Sequence, residues 1–335
     1  MTALRFIAEL SSNAATSLGE AIQLVDEAAG AGATDIKVQC WSPGTMAFDG
    51  AYMIPSGPWQ GRDLAELYRA TQLPWEWIKP IAERTRYLGL RFGSSVFDHA
   101  ACEYITAIGA DFLKIASFEI TDLPLIGYAA SYGIPLIIST GMAAGDEVDR
   151  AVIRAQRAAP APTPLALLAC SSSYPCRLEH AHVARVRALR FRHPQVEVGY
   201  SDHTEGTEAA AAAVALGATI IERHIALEGQ RSEDSHFSAR PVMFRAMVEA
   251  CWKASKVTGG GALGAAHYEL HQLRRGLHWA QDFPPGHVVA PSDMVTARPS
   301  SPTPIHLQHK VIGKPLAVAV RRGQPVDLEG QINGG

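Results

Sequence analysis

A (β/α)8 barrel followed by a small β-rich domain is predicted for this chain, on three observations. Short apolar or β-branched runs alternate with longer amphipathic stretches from the N-terminus to about residue 256. Eight such repeats fall within about 250 residues, the length at which a parallel barrel closes. No Gly-x-Gly-x-x-Gly turn follows the first strand, which counts against an open dinucleotide-binding sheet.

The strands are expected at 5–11, 35–40, 91–96, 112–117, 135–140, 165–170, 197–203 and 219–225. Helical patterns occupy 17–30, 74–87, 147–157 and 178–192, and Ser17 with Glu20 reads as a capping box opening the first. One long insertion, 41–72, separates the second strand from its helix and is rich in Trp, Pro and Gly: Trp41, Pro43, Pro55, Pro58, Trp59 and Gly61. Loops of that length inside a compact domain act as lids or binding loops. On a barrel this one emerges at the C-terminal rim, where active sites lie. The domain division is 1–256 for the barrel, 257–270 for a linker marked by Gly259-Gly260-Gly261, and 271–335 for the tail. The tail reads as short strands punctuated by Pro284-Pro285-Gly286, Arg298-Pro299 and Arg322-Gly323.

Composition narrows the function. The 335 residues are 47% hydrophobic and 19% charged, with a net charge of −3 and no block of one sign. Nucleic acid and membrane surfaces are therefore not expected partners. No apolar run approaches the ~20 residues that span a bilayer, and no signal-peptide pattern precedes the first strand. A cytoplasmic location is expected. The five cysteines, 40, 102, 170, 176 and 251, lack metal-ligand spacing and read as reduced core thiols.

Barrel strands are buried on both faces, so polar residues inside them need a reason. Lys37 and Gln39 alternate with Ile36 and Val38, which turns them into the barrel. Glu9 does the same on the first strand. Ser94-Ser95 closes the third strand, Lys114, Ser117 and Glu119 the fourth, Ser139-Thr140-Gly141 the fifth, and Ser171-Ser172-Ser173-Tyr174 the sixth. On the last two strands Ser201 shares a face with His203, and Glu222 with His224. Singly, each has a bland reading: a lysine can snorkel, a serine can cap a helix, Glu9 can pair with Lys37, and the histidines can be hydrogen-bonded core residues. Polar groups at all eight strand ends, two of them lysines, point elsewhere. Two cations ringed by hydroxyls make a phosphate or carboxylate pocket, and two imidazoles add donors for a divalent metal. The residues describe a barrel enzyme acting on a small anionic, phosphate-bearing substrate.

A known family shares these motifs. The chain resembles the sialic acid synthases, which condense phosphoenolpyruvate with an amino sugar to make nine-carbon acids. The matching stretches are Ala8-Glu9-Leu10, Ile36-Lys37-Val38-Gln39, Leu113-Lys114-Ile115-Ala116-Ser117-Phe118-Glu119, Ser139-Thr140-Gly141-Met142, Ser171-Ser172-Ser173-Tyr174-Pro175, Gly199-Tyr200-Ser201-Asp202-His203-Thr204 and Ile221-Glu222-Arg223-His224, in family order. The tail resembles the family's antifreeze-like (SAF) domain through Arg298-Pro299 and Val311-Ile312-Gly313-Lys314. Within the family the likeness is greatest to the pseudaminic acid synthases, through Trp59-Gln60-Gly61-Arg62, Leu67-Tyr68, Pro74-Trp75-Glu76-Trp77 and Asp234-Ser235-His236-Phe237-Ser238.

The resemblance implies a substrate pair of phosphoenolpyruvate and 2,4-diacetamido-2,4,6-trideoxy-altrose. It implies that Lys37, Ser95, Lys114, Ser117, Ser139, Ser172 and Ser201 hold phosphoenolpyruvate. His203 and His224 would bind a divalent metal, manganese first, with magnesium or cobalt as alternatives. Glu9, Gln39, Tyr174, Glu222 and Asp234 would surround the sugar, and Glu119 would be a further substrate-binding residue. The catalytic set would be Glu222, Glu9, Lys37, Lys114 and Asp234, with Glu222 either moving a proton or orienting a neighbour. Arg298 would reach the site from a partner's tail, which implies a domain-exchanged homodimer. The chain departs from the family pattern at Ala14, Val96, Ala226, Glu228 and Ser300-Ser301, mostly near the sugar. An N-acetylneuraminate or legionaminate synthase and a non-catalytic sugar-binding homologue therefore stand as alternatives.

Overall fold

A computed structural model describes residues 4–42, 44–57, 59–160, 162–258 and 272–333. The chain divides into two compact units, Met1–Thr258 and Gly259–Gly335. Residues 259–270 of the expected linker lie outside the described residues, as do Pro43 and Pro58 of the insertion.

The first unit is a closed barrel of eight parallel strands: β1 (Arg5–Glu9), β2 (Asp35–Cys40), β3 (Arg91–Val96), β4 (Phe112–Ile115), β5 (Leu136–Ser139), β6 (Leu165–Cys170), β7 (Glu197–Asp202) and β8 (Ile220–His224). Pairing of β1 with β8 closes it, with Ile7 opposite Glu222 and Glu9 opposite His224. Period-two alternation sorts each strand. Phe6, Ala8, Ile36, Val38, Phe92, Leu113, Ile115, Ile138, Leu167, Val198 and Ile221 belong to the large core between strands and helices. Ile7, Phe112, Ile137, Ala166, Leu168 and Ile220 form a separate apolar layer inside the barrel. Two residues further along β1, β4, β5 and β8 the interior turns polar, with Glu9, Lys114, Ser139 and Glu222 buried, and Ser201 on β7 is buried beside them. The N-terminal end is closed by Asp35, which pairs with Arg5 at 2.7 Å and Arg91 at 3.0 Å.

Two glycines make the apolar layer fit. A Cβ on Gly93 would meet the Phe112 ring at 2.4 Å, and one on Gly199 would meet the Ile220 carbonyl oxygen at 2.4 Å. The second obstacle is backbone and cannot rotate away. Gly199→Ala is expected to lower unfolding free energy by about 1–3 kcal/mol or more. Urea denaturation measures this; an unchanged midpoint would mean that the strands part freely at β7–β8.

The helices are α1 (Leu18–Gly30), α2 (Leu64–Thr71), α3 (Trp75–Tyr87), α4 (His99–Ala107), α5 (Leu123–Ser131), α6 (Gly145–Ala158), α7 (Arg185–Arg192), α8 (Glu208–Ala215) and α9 (Pro241–Val257), with α10 (Leu328–Gln331) in the second unit. Ser17 Oγ accepts from the Glu20 N–H at 3.1 Å and starts α1 as the sequence predicts. The helix expected over 178–192 is interrupted. A short 3₁₀ turn, Leu178–His180, precedes α7, and His182 between them has φ 48°. The cause is tertiary: the Tyr200 hydroxyl donates to the Ala181 carbonyl at 2.8 Å and holds this stretch against β7. The first and fourth strands stop short of their expected ends and pass into 3₁₀ turns, Ser11–Ala15 and Ser117–Glu119.

The second unit is built on an antiparallel pair, β9 (Gly276–Trp279) with β10 (Met294–Ala297), over a core of Leu277, Trp279, Phe283, Val289, Val311, Leu316, Val320 and Val326. Ser301, one of the departures from the family pattern, accepts from the Leu277 N–H at 2.9 Å and donates to the Thr303 carbonyl at 2.6 Å. That loop is thus tied to β9 by its own side chain.

Candidate active site

The polar layer gathers at the C-terminal mouth of the barrel. Lys114 Nζ lies 3.0 and 3.1 Å from the two Glu222 oxygens. Lys37 pairs with Glu9, stands 3.7 Å from Glu222, and donates to Ser95 Oγ at 2.8 Å. Ser201 Oγ donates to Glu222 at 2.8 Å. Two lysines and two carboxylates therefore form one buried chain of alternating charge. Ser117 and Ser172 hydroxyls meet at 2.8 Å, and Ser139 is buried on the neighbouring strand.

Burial and pairing set the protonation states. Burial works against the Glu222 carboxylate, but Lys114 and Lys37 outweigh it and hold its pKa far below the usual range. Glu222 is therefore gripped as an anion, an arrangement suited to orienting the lysines rather than to carrying a proton. Burial also opposes the Lys37 charge, yet Glu222 and Glu9 raise its pKa. Lys114 is lowered by burial and by Lys37 beside it. Glu9 is raised by burial against the pull of Lys37.

The histidines occupy the rim above this chain. His203 Nδ1 donates to the Ser171 carbonyl at 2.7 Å, which leaves Nε2 as a lone-pair donor. His224 Nδ1 lies 3.1 Å from Ser11 Oγ, and the two imidazole centroids are 5.6 Å apart. Burial lowers the pKa of both, for His224 with help from His203, so both are held in the neutral form that ligates metals. Among the described residues no group of three or more His, Cys, Asp or Glu could hold a metal. Two neutral imidazoles on neighbouring strand ends would suit a divalent ion that also takes oxygen donors, rather than a closed structural site.

Of the residues expected around the sugar, Tyr174 packs directly on the histidines. The Tyr174 ring packs 4.3 Å from His203 and 5.1 Å from Phe237, which lies 5.0 Å from His224. Asp234 accepts from the Ser12 N–H at 3.3 Å, and burial raises its pKa. Gln39 is half-buried one alternate position beyond Lys37. Arg298 belongs to the second unit, where it is exposed and its Nε donates to the Leu273 carbonyl at 2.6 Å.

Glu119 stands apart, half-buried in the turn after β4. Burial pushes its pKa up to about 7. The folded chain thus keeps a proton that the unfolded chain releases near the ordinary 4.5. Stability from neutral Glu119 is full below that value and is lost as pH rises through about 7. Replacing Glu119 by Gln should remove up to about 2 kcal/mol of this pH-dependent loss, partial exposure allowed for. Denaturation of both proteins at pH 5 and pH 8 reads it; a constant difference would contradict it.

Several contributors carried little sequence signal. Ser11 reaches His224 only because its backbone is left-handed, with φ 42°. Arg223 faces away from the site and donates to the carbonyls of Thr204, Glu205 and Gly206, which fixes the loop after His203. A charged residue in an apolar strand was its one sign. Cys170, read as a core thiol, ends β6 beside Lys114 and Ser139, and burial raises its pKa. All five cysteines are buried and unbridged.

The NeuB family model matches residues 24–262. The chain is 32% identical over 323 residues to the pseudaminic acid synthase of Campylobacter jejuni, covering 95% of this chain and 93% of that protein. It is 29% identical to the pseudaminic acid synthase of Helicobacter pylori, over 97% of each. Among solved structures, the N-acetylneuraminic acid synthetase of Leptospira borgpetersenii superposes with a TM-score of 0.71 at 28% identity, covering 80% of this chain and 89% of that one. A putative spore coat polysaccharide biosynthesis protein E from Chromobacterium violaceum shares the fold over 98% and 99% of the two chains, with a TM-score of 0.80 at 23% identity. A family model spanning most of the barrel, and relatives matched from end to end, agree with the lysine-lined mouth: the chain belongs to the NeuB family of phosphoenolpyruvate-dependent sialic acid synthases and is a transferase of the condensing type.

Proposed function

We propose that this enzyme is a pseudaminic acid synthase, condensing phosphoenolpyruvate with 2,4-diacetamido-2,4,6-trideoxy-altrose to give a nonulosonic acid and phosphate. The observation that carries the phosphoenolpyruvate half is the buried Glu9–Lys37–Glu222–Lys114 chain beneath a rim of hydroxyls. Support for the sugar comes from the end-to-end likeness to two pseudaminic acid synthases. His203 and His224 would hold a divalent metal, manganese by preference. When bound, such an ion supplies Lewis-acid polarisation of the sugar aldehyde.

The chain's own residues account for the rest. Lys37 and Lys114, fixed by carboxylates, present preorganised positive charge to the phosphate and carboxylate of phosphoenolpyruvate. Ser95, Ser117, Ser139, Ser172 and Ser201 orient those anionic groups. The methylene carbon of phosphoenolpyruvate forms the new bond to the aldehyde carbon, whose oxygen takes up a proton. Water adds to the phosphate-bearing carbon and loses a proton. The carbon–oxygen bond to phosphate then breaks as the new hydroxyl gives its proton to the departing phosphate, which leaves a ketone and inorganic phosphate. Tyr174 and Asp234 position the sugar. Arg298 from a partner's tail would complete the sugar side in a domain-exchanged dimer. No described helix is long and apolar enough to cross a membrane.

The test is phosphate release from phosphoenolpyruvate with manganese and each acetamido sugar in turn, with a chelator control and product mass. Turnover restricted to the diacetamido-trideoxy-altrose is expected. Turnover with N-acetylmannosamine or the legionaminic precursor alone would move the specificity. Silence with every sugar would favour a binding homologue.

A further inference from the structure

One aromatic side chain of the insertion has no role in the chemistry above, yet it is built into the wall behind it. The tip of the insertion is a tight turn, in which the Ile54 N–H donates to the Arg62 carbonyl and the Gly61 N–H to the Ile54 carbonyl, both at 2.9 Å. Gly57 and Gly61 take φ of 90° and 80°, which only glycine adopts freely. Trp59 sits in this tip. Its ring meets His236 at 5.9 Å and Phe237 at 6.2 Å between centroids. Three residues on, Arg62 pairs with Glu233. The insertion is thereby fastened to the 231–238 loop by a ring contact and an ion pair. Phe237 in turn lies 5.0 Å from His224 and 5.1 Å from Tyr174. Two ring contacts therefore separate Trp59 from the candidate metal ligand, a separation an open-chain six-carbon sugar spans.

Trp59 Nε1 is buried and has no hydrogen-bond partner. An unmade buried donor costs about 1–3 kcal/mol, so an acceptor is needed there. Indole N–H is a donor only. The adjoining guanidinium of Arg62 is already paired, and the nearby surfaces are aromatic. A carboxylate or phosphate would lack a counter-charge, and a hydroxyl would leave the rings uncovered. A neutral amide carrying a methyl group satisfies both.

We propose that Trp59 and Phe237 form a subsite for the acetamido group of the sugar remote from the aldehyde. The Trp59 indole donates to its carbonyl oxygen and the Phe237 ring covers its methyl, which makes Trp59 a specificity-determining residue. This deepens the sugar assignment proposed above and rests on it.

Trp59→Phe keeps the ring and its packing and removes only the N–H. Calorimetry with manganese present compares the diacetamido sugar with an analogue bearing hydroxyl at the remote position. The variant should bind the diacetamido sugar roughly tenfold more weakly, with the analogue and the KM for phosphoenolpyruvate unchanged. Phe237→Leu should weaken the same sugar selectively, and serves if Trp59→Phe is poorly folded. An equal loss for both sugars would reduce Trp59 to packing and overturn the subsite. So would an undiminished affinity, or a wild-type enzyme that does not prefer the diacetamido sugar. Preserved preference with no phosphate release by the wild type would instead overturn the proposed reaction and leave the subsite standing.

Discussion

Replacing Glu222 by Gln should lower kcat on the order of 10²–10³-fold, because the two lysines lose the anion that fixes their direction. The same change should cost about 3–5 kcal/mol of stability, since breaking a buried ion pair from one side strands its partner. Lys114 lies within 3.1 Å of both Glu222 oxygens, and Lys37 stands 3.7 Å away, so two ammonium groups are affected at once. Burial already lowers the pKa of Lys114. Without Glu222 its neutral form gains further, and a neutral amine does not attract a phosphate. A double-mutant cycle separates the two effects. Lys114→Met combined with Glu222→Gln should regain about 0.5–3 kcal/mol relative to the sum of the single changes, while activity stays lost. Additive stabilities would show that the pair is not formed in solution.

The interior of this barrel was unusually readable because a strand's period is two. Glu9, Lys37 and Gln39 can be assigned to the inner face from apolar neighbours, while Ser95, Lys114, Ser139, Ser201 and Glu222 are marked as polar residues at strand ends. All but Gln39 lie buried in the polar layer of the mouth, together with both histidines. Periodicity does not tell which charges touch. The bond from Ser201 to Glu222 depends on the β7–β8 register, and that from Lys114 to Glu222 crosses the barrel from β4 to β8. Closure of β1 on β8 brings Glu9 and His224 side by side across more than two hundred residues of chain. Only the folded ring supplies that neighbour relation.

Local propensity failed where tertiary bonds overruled it. The stretch 178–192 has a helical composition, but Tyr200 captures the Ala181 carbonyl and His182 takes a left-handed backbone. Ser11 does the same beside His224. In each case a short segment leaves its preferred conformation to serve a strand end at the rim. The insertion follows β2 as expected, but it is not all loop: Leu64–Thr71 form α2, opened by Asp63, whose side chain accepts from the Glu66 N–H. Its attachment through Trp59 and Arg62 to the 231–238 loop has no periodic signature. The sugar-facing part of the site is therefore the part the sequence hides best. It is made of loops, whose contacts are set by three-dimensional proximity rather than by pattern.

His224→Ala should abolish manganese-dependent turnover, a loss on the order of a thousandfold or more. One imidazole remains in the variant, and among the described residues no further carboxylate or thiolate is grouped there to hold the ion with it. Binding of phosphoenolpyruvate should persist, because Lys37, Lys114 and the serines are untouched. Calorimetric titration of manganese and of phosphoenolpyruvate, each alone, distinguishes the two losses. The pH dependence adds a second check. Burial lowers the pKa of both histidines, so protons compete with metal only below the ordinary 6.5, and wild-type metal affinity should hold as pH falls from 8 to that value. The same shifts make the folded state refuse protons that the unfolded chain accepts, so their stabilising contribution is present above 6.5 and is lost as pH falls below it. The variant should show a shallower acid destabilisation than the wild type. A His224→Ala enzyme with full manganese-dependent turnover would sink the metal assignment. One that loses turnover and also loses phosphoenolpyruvate binding would place His224 in the anion pocket instead.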